Sequence, residues 1–204
     1  VLKIYGTRGS SNVQKVLWCA AEIGIAFERI EIDAAFGGLR SPGYLALNPN
    51  GLMPTIDDDG FILWESNVIV RYLCAKHSAG KFSPASLTER AGCEQWMDWQ
   101  QTALVPQMGP AFRVLLRTPR DEMPKEQLDK VIERAAALWR ILDARLAEHA
   151  YVGGASLSMA DFALGNAIHR WYKFPIEHPN LPHLKAWYDR CCERPAYREH
   201  IASV

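Results

Sequence analysis

Two short clusters of hydroxyl, amide and acidic side chains stand where the chain begins a helix, and both have the makings of an anion site. Ser10-Ser11-Asn12 follows the alternating stretch Leu2-Lys3-Ile4-Tyr5 and a loop punctuated by Gly6 and Gly9, and it precedes a segment with apolar residues at Val13, Val16, Leu17, Ala20 and Ala21. A helix start leaves backbone N–H groups without partners and carries positive potential, so a hydroxyl there can join them in holding a negative charge. Ser10 is the first choice for that donor, with Ser11 and Asn12 as alternatives; capping of the helix is the competing role for each. Glu65-Ser66 opens a later helix whose stripe is Ile69, Tyr72 and Leu73. Ser66 suits a carboxylate and Glu65 an ammonium.

Other chemistries find less support. The five cysteines, Cys19, Cys74, Cys93, Cys191 and Cys192, show no C-x-x-C spacing, which argues against a zinc site, a dithiol centre or a disulfide framework. Buried, reduced thiols are expected, and no metal. Lysine plus arginine equals aspartate plus glutamate at 23 each, so no net field draws in nucleic acid or an anionic membrane. No run of about 18 apolar residues is present to span a bilayer, and the opening segment does not read as a secretory signal. A cytoplasmic protein with a small-molecule partner is expected.

The elements that must position the two clusters can be read in order. Leu2 to Tyr5 is a strand, the segment from Ser10 a helix closed by Gly24, and Phe27 to Asp33 a second extended stretch with Ile30 and Ile32 on one face. Ser41-Pro42 starts a short helix that Asn48-Pro49-Asn50-Gly51 ends. Thr55-Ile56-Asp57 and Phe61-Ile62-Leu63 flank the turn dipeptide Asp59-Gly60, which predicts a hairpin. Beyond a stretch of small and turn-forming residues no convincing strand remains, while helical stripes recur, most clearly from Leu128 through Val131, Ile132, Ala135, Leu138, Trp139 and Leu142 to Leu146. Ser158 with Asp161, flanked by Leu157 and Phe162, reads as a capped helix start with a structural role.

These motifs together resemble the cytosolic glutathione transferase superfamily. The segment Gly9 to Val16, the stretch Asn48-Pro49-Asn50-Gly51-Leu52-Met53-Pro54-Thr55, the helix start Trp64-Glu65-Ser66 and the C-terminal pattern of Leu181-Pro182, Leu184, Trp187, Arg194 and Pro195-Ala196 carry the likeness over nearly the whole chain. It is most similar to serine-type, theta-like proteobacterial members with a Ser-x-Asn active loop. The resemblance implies an α/β plus all-α fold: a thioredoxin-like glutathione-binding domain (βαβ-α-ββα) over residues 1–78, a linker over 79–87, and an α-helical domain over 88–204 that shapes the electrophile site.

It also implies roles. Glutathione, the expected co-substrate, has an amino-acid end that Glu65 and Ser66 would hold, and a cis Met53-Pro54 bond would turn the Met53 backbone toward its cysteinyl unit. A free thiol has a pKa of about 8.5, so lowering it by about two units requires roughly 2.7 kcal/mol of selective thiolate stabilisation, within reach of a hydroxyl and a helix N-terminus together. Ser10 is expected to provide the hydroxyl; Tyr5 fits packing better. Some relatives carry histidine where this chain has Gly51, which leaves Asn50, Lys15 and Arg40 as candidates for the glycine end. Asp98 is a candidate to reach the glutathione amine across a symmetric homodimer. Thr7, Arg8, Met108, Arg113, Arg117 and Trp171 are expected to line the pocket of a small electrophile. Conjugation or displacement of a leaving group, dehalogenation included, is the expected reaction, with a detoxifying role; a non-catalytic scaffold of the same fold is the alternative.

Overall fold

A computed structural model describes residues 1–116 and 123–203. The chain divides into two compact units, Val1–Ala85 together with Arg194–Val204, and Ser86–Glu193.

The first unit is built on β1 (Leu2–Tyr5), α1 (Ser11–Ile23), β2 (Phe27–Ile30), α2 (Ile32–Phe36), α3 (Pro42–Leu47), β3 (Thr55–Asp58), β4 (Phe61–Trp64) and α4 (Ser66–Ser78). Its sheet runs β2-β1-β3-β4, with β1 parallel to β2 and antiparallel to β3, and β3 antiparallel to β4. This is the expected thioredoxin-like arrangement. α1 ends at Gly24, whose φ of 85° is the left-handed cap that glycine adopts without strain. Ser41 caps α3, accepting from the Tyr44 amide at 3.4 Å, and the hairpin turns at Asp59-Gly60. α1 and α4 cover one face with a core of Val13, Val16, Leu17, Ile69, Val70 and Leu73, all at most 2% exposed.

One element differs from expectation. The extended stretch ends at Ile30 and the chain enters α2, rather than continuing to Asp33. Ile30 and Ile32 nonetheless reach one cluster with Tyr5 and Tyr44, so strand alternation and a strand-to-helix turn satisfy the same apolar spacing.

The second unit contains α5 (Leu87–Trp99), which continues through a π-helical turn, Gln100–Leu104, into α6 (Val105–Leu116), then α7 (Lys125–Glu148), α8 (Met159–Lys173) and α9 (Pro182–Cys192). In the stripe on α7, Ala135, Trp139, Leu142 and Leu146 are buried, while Leu128, Val131, Ile132 and Leu138 are half-buried. Asp161 is fully buried at the start of α8, where it accepts bonds from the Val152 and Ser158 amides at 2.9 and 2.8 Å, the Ser158 hydroxyl at 2.9 Å and Trp187 Nε1 at 2.9 Å. Burial pushes its carboxyl pKa up, and these four donors oppose the shift.

A helical domain over 88–204 takes in the segment from Arg194, which in the structure packs with the first unit. There α10 (Pro195–Tyr197) sets Tyr197 edge-on to Trp18 with ring centroids 4.8 Å apart, and Arg194 forms a fork with Glu22. The helical periodicity of this segment records that it is a helix but not which core receives it.

Candidate functional site

Three loops of the first unit meet at one end of its sheet. Tyr5, the last residue of β1, pairs with Thr55, the first of β3, and Thr55 pairs with Trp64, the last of β4. The segments leaving Tyr5, entering Thr55 and leaving Trp64 are therefore neighbours, and they carry Ser10, Met53-Pro54 and Glu65-Ser66.

The first loop lies close against α1. A β-carbon on Gly6 would stand 2.4 Å from Val13 Cγ2, so only glycine allows this approach. Ser10 is the N-cap residue: its carbonyl accepts from the Gln14 amide at 2.9 Å, but its hydroxyl makes no capping bond. The usual competing role of such a serine is thus unfilled. Ser11 and Asn12, both half-buried, form the first turn, and Asn12 Oδ1 accepts from Ser66 Oγ at 3.2 Å. Thr7 and Arg8 are exposed, and Arg8 donates to the Glu199 carbonyl at 3.1 Å. Tyr5 is buried against Phe36, Ile32 and Tyr44, and burial pushes its phenol pKa up, which fits packing.

The second loop is held from beneath. Tyr44 Oη donates to the Leu52 carbonyl at 2.7 Å, and Asn48 Nδ2 donates to the same oxygen at 2.8 Å. Asn48 Oδ1 accepts from the Asn50 amide at 3.1 Å. On this frame the Met53-Pro54 bond is cis, as the resemblance implies. Arg40 Nη1 donates to the Asn50 carbonyl at 3.2 Å, which keeps these two candidates together. Gly51, at φ 59°, has no room for a side chain: a β-carbon would lie 2.9 Å from both the Leu39 carbonyl and Arg40 Nη1. A side chain at this position would meet the Leu39 carbonyl at a backbone angle that favours glycine.

At the third loop Glu65 is exposed with φ 73°, a left-handed backbone that a residue bearing a β-carbon adopts only at some cost. Ser66 and Asn67 begin α4 and are buried. Beneath them Lys15 of α1 is 1% exposed and donates to Asn67 Oδ1 at 2.7 Å and Ser66 Oγ at 3.1 Å. Burial, seconded by Arg71 and opposed by Glu65, brings the Lys15 pKa down to about 7. Lys15, a candidate for the glycine end, is thus tied to Ser66 and Asn67 at the start of α4. Asn67 was missed by sequence reasoning; its signal is an amide directly after a serine at a helix start.

The remaining candidates lie in the second unit. Asp98 is exposed on α5, and its carbonyl accepts from Thr102 Oγ1 at 2.9 Å. Met108 is buried and Arg113 exposed on α6. Trp171 is wholly buried, with Trp139, Phe174 and His178 rings at centroid distances of 6.1, 5.9 and 5.2 Å, which is the setting of a core residue. Arg117 falls outside the described residues. Among the described residues no group of His, Cys, Asp and Glu could hold a metal ion, and no helix is long and apolar enough to cross a membrane.

Comparison with known proteins finds one family over both parts of the chain. Residues 1–75 match the family described as glutathione S-transferase, N-terminal domain, and residues 99–195 match its C-terminal domain. The chain is 34% identical over 203 residues to glutathione S-transferase GstB of Escherichia coli (strain K12), covering 98% of both chains. It is 30% identical over 212 residues to glutathione S-transferase 3 of Zea mays, covering 100% of this chain and 94% of that one. Among solved structures, the theta class glutathione S-transferase of Xanthomonas axonopodis pv. citri with glutathione bound superposes with a TM-score of 0.93 at 42% identity, covering 100% of this chain and 98% of that one.

Proposed function

Because the chain belongs to the glutathione S-transferase family, we propose that the three loops at this end of the sheet bind glutathione and that Ser10 holds the thiol as thiolate for attack on a small electrophile. The observation that carries this reading is the Ser10 hydroxyl, which stands at the start of α1 without a capping bond. A thiolate there accepts from that hydroxyl and feels the positive end of the helix, and both favour the charged form. The N–H groups at the start of α4 receive the γ-glutamyl carboxylate, with the Ser66 hydroxyl turning from Asn12 Oδ1 to donate to it, and Glu65 receives its ammonium. The Met53 backbone pairs with the cysteinyl unit, and Arg40 with Asn50 offers donors to the glycine carboxylate. The thiolate attacks the electrophilic carbon, a carbon–sulfur bond forms, and the leaving group departs with its electron pair, as halide in a dehalogenation.

Thr7, Arg8, Met108 and Arg113 are the residues proposed to meet the electrophile. The enzyme acts as a cytoplasmic homodimer in detoxification, with Asp98 reaching the glutathione amine of the partner subunit. Calorimetric titration with glutathione, followed by turnover of a panel of aryl halides, alkyl halides and enones, tests the reading. Saturable binding at millimolar concentration or tighter is expected, and Ser66→Ala weakens it by about 0.5–2 kcal/mol. Folded protein that does not bind glutathione refutes the assignment; light scattering that finds only monomer across the micromolar range refutes the dimer.

A further inference from the structure

Lys15 is buried on the face of α1 that α4 covers. Removing an ammonium from water costs several kcal/mol unless oxygen atoms and an opposing charge replace the water. Ser66 Oγ and Asn67 Oδ1, which accept from it, are neutral, and Ser66 Oγ passes a bond on to Asn12 Oδ1. A chain of polar contacts thus links the first turns of both helices. From α4, Glu65 favours the charged amine and Arg71 opposes it. Further along the same two helices, Cys19 faces Cys74 at 3.6 Å. On other elements packed against α1, Lys3 pairs with Asp57 at 3.6 Å and Arg194 with Glu22, Glu199 stands 3.8 Å from His200, whose pKa burial pushes down, and Arg198 adds a further charge.

A carboxylate seated on the α4 N-terminus sets a full negative charge beside the serine that Lys15 already holds. We propose that Lys15 is a positioning residue for the γ-glutamyl end of glutathione: it fixes Ser66 and Asn67 from beneath, so that the start of α4 is set to receive the arriving carboxylate. This rests on glutathione being the ligand. With the Lys15 pKa at about 7, roughly half the amines are neutral at that pH in the free protein, and a nearby anion favours the charged form. Binding therefore takes up protons, and affinity falls as pH rises through that range.

The thiol-blocked probe S-methylglutathione removes thiol ionisation from the measurement. Calorimetric titrations of the full chain at about pH 7, in buffers of different ionisation enthalpy, are expected to show uptake of up to about half a proton. In Lys15→Met, which keeps the side chain's length without its charge, the uptake disappears and affinity at about pH 6 falls severalfold. In Lys15→Arg, which stays charged, the uptake also disappears. Ionisation of the ligand's own amine persists in both variants and is subtracted. Wild-type protein that binds the probe with the same proton uptake as the variants overturns the role of Lys15 and leaves the glutathione reading intact. Folded wild type that does not bind it overturns both. Should Lys15→Met not fold, the comparison of wild type with Lys15→Arg decides.

Discussion

Replacing Ser10 by alanine separates chemistry from architecture at the point where the two are most easily confused. A serine that caps its helix is worth about 0.5–2 kcal/mol of stability, but the Ser10 hydroxyl makes no such bond, so Ser10→Ala is expected to stay within about 0.5 kcal/mol of wild type in urea melts. The loss appears elsewhere. One hydrogen bond to a charged partner contributes about 1.5–3 kcal/mol, which raises the pKa of bound glutathione by about one to two units. The same energy lowers the chemical step about ten- to a hundredfold, while the α1 N-terminus preserves a residual rate. The pH–rate profile moves to alkaline values by the shift in thiol pKa. Ultraviolet titration of the bound thiolate, with single-turnover reaction of an aryl halide, measures both and isolates them from product release; glutathione affinity remains within severalfold. If Ser10→Ala keeps the thiolate pKa and rate while Ser11→Ala or Asn12→Ala loses both, the donor is misassigned. A variant that loses only stability identifies Ser10 as a cap.

The Lys15 amine titrates at about 7 in the folded chain and near 10.5 when unfolded, so between these values the unfolded state binds more protons and stability rises with pH. Wild type is expected to gain about 2 kcal/mol between about pH 7 and pH 9 relative to Lys15→Met; parallel stability profiles contradict this. Asp161→Ala strands the Val152 and Ser158 amides and Trp187 Nε1, and is expected to cost at least about 3 kcal/mol in denaturant melts; a cost below about 1 kcal/mol shows that these donors find other partners. Gly51→Ala adds a β-carbon 2.9 Å from the Leu39 carbonyl at a left-handed position and should cost about 1–3 kcal/mol, measurable by thermal melting; a neutral result means the loop shifts freely.

Much of the first unit was legible because its signals are local. Gly24, Ser41-Pro42 and Asp59-Gly60 each dictate a backbone turn by their own stereochemistry, and the strands between them alternate. The site residues on its three loops were legible for the same reason: a hydroxyl at a helix start is visible without knowledge of tertiary structure. Lys15 was recognised as a candidate but expected at the glycine end, because helical spacing places it on a face of α1 without naming what covers that face. Asn67 escaped notice since its importance comes from an amine on a different helix. Trp171 sits in a helix whose apolar residues point two ways, and only packing decides that it faces Trp139. The return of Arg194 and Tyr197 to α1 is a long-range choice that no local period records.

That return has a consequence for how the molecule comes into being. The first unit is discontinuous in sequence: Glu22 and its partner Arg194 are 172 residues apart, with the whole helical unit encoded between them. A nascent chain that has emitted its sheet and α1 still lacks the segment that covers Trp18, so this indole faces solvent until the helices that follow have been synthesised. Closure of that surface is the most non-local event in the fold, and its entropy must be met late. A fragment ending before Arg194 would expose an aromatic flank and release Arg8 from the Glu199 carbonyl, so truncation would change both its solubility and the setting of the first site loop.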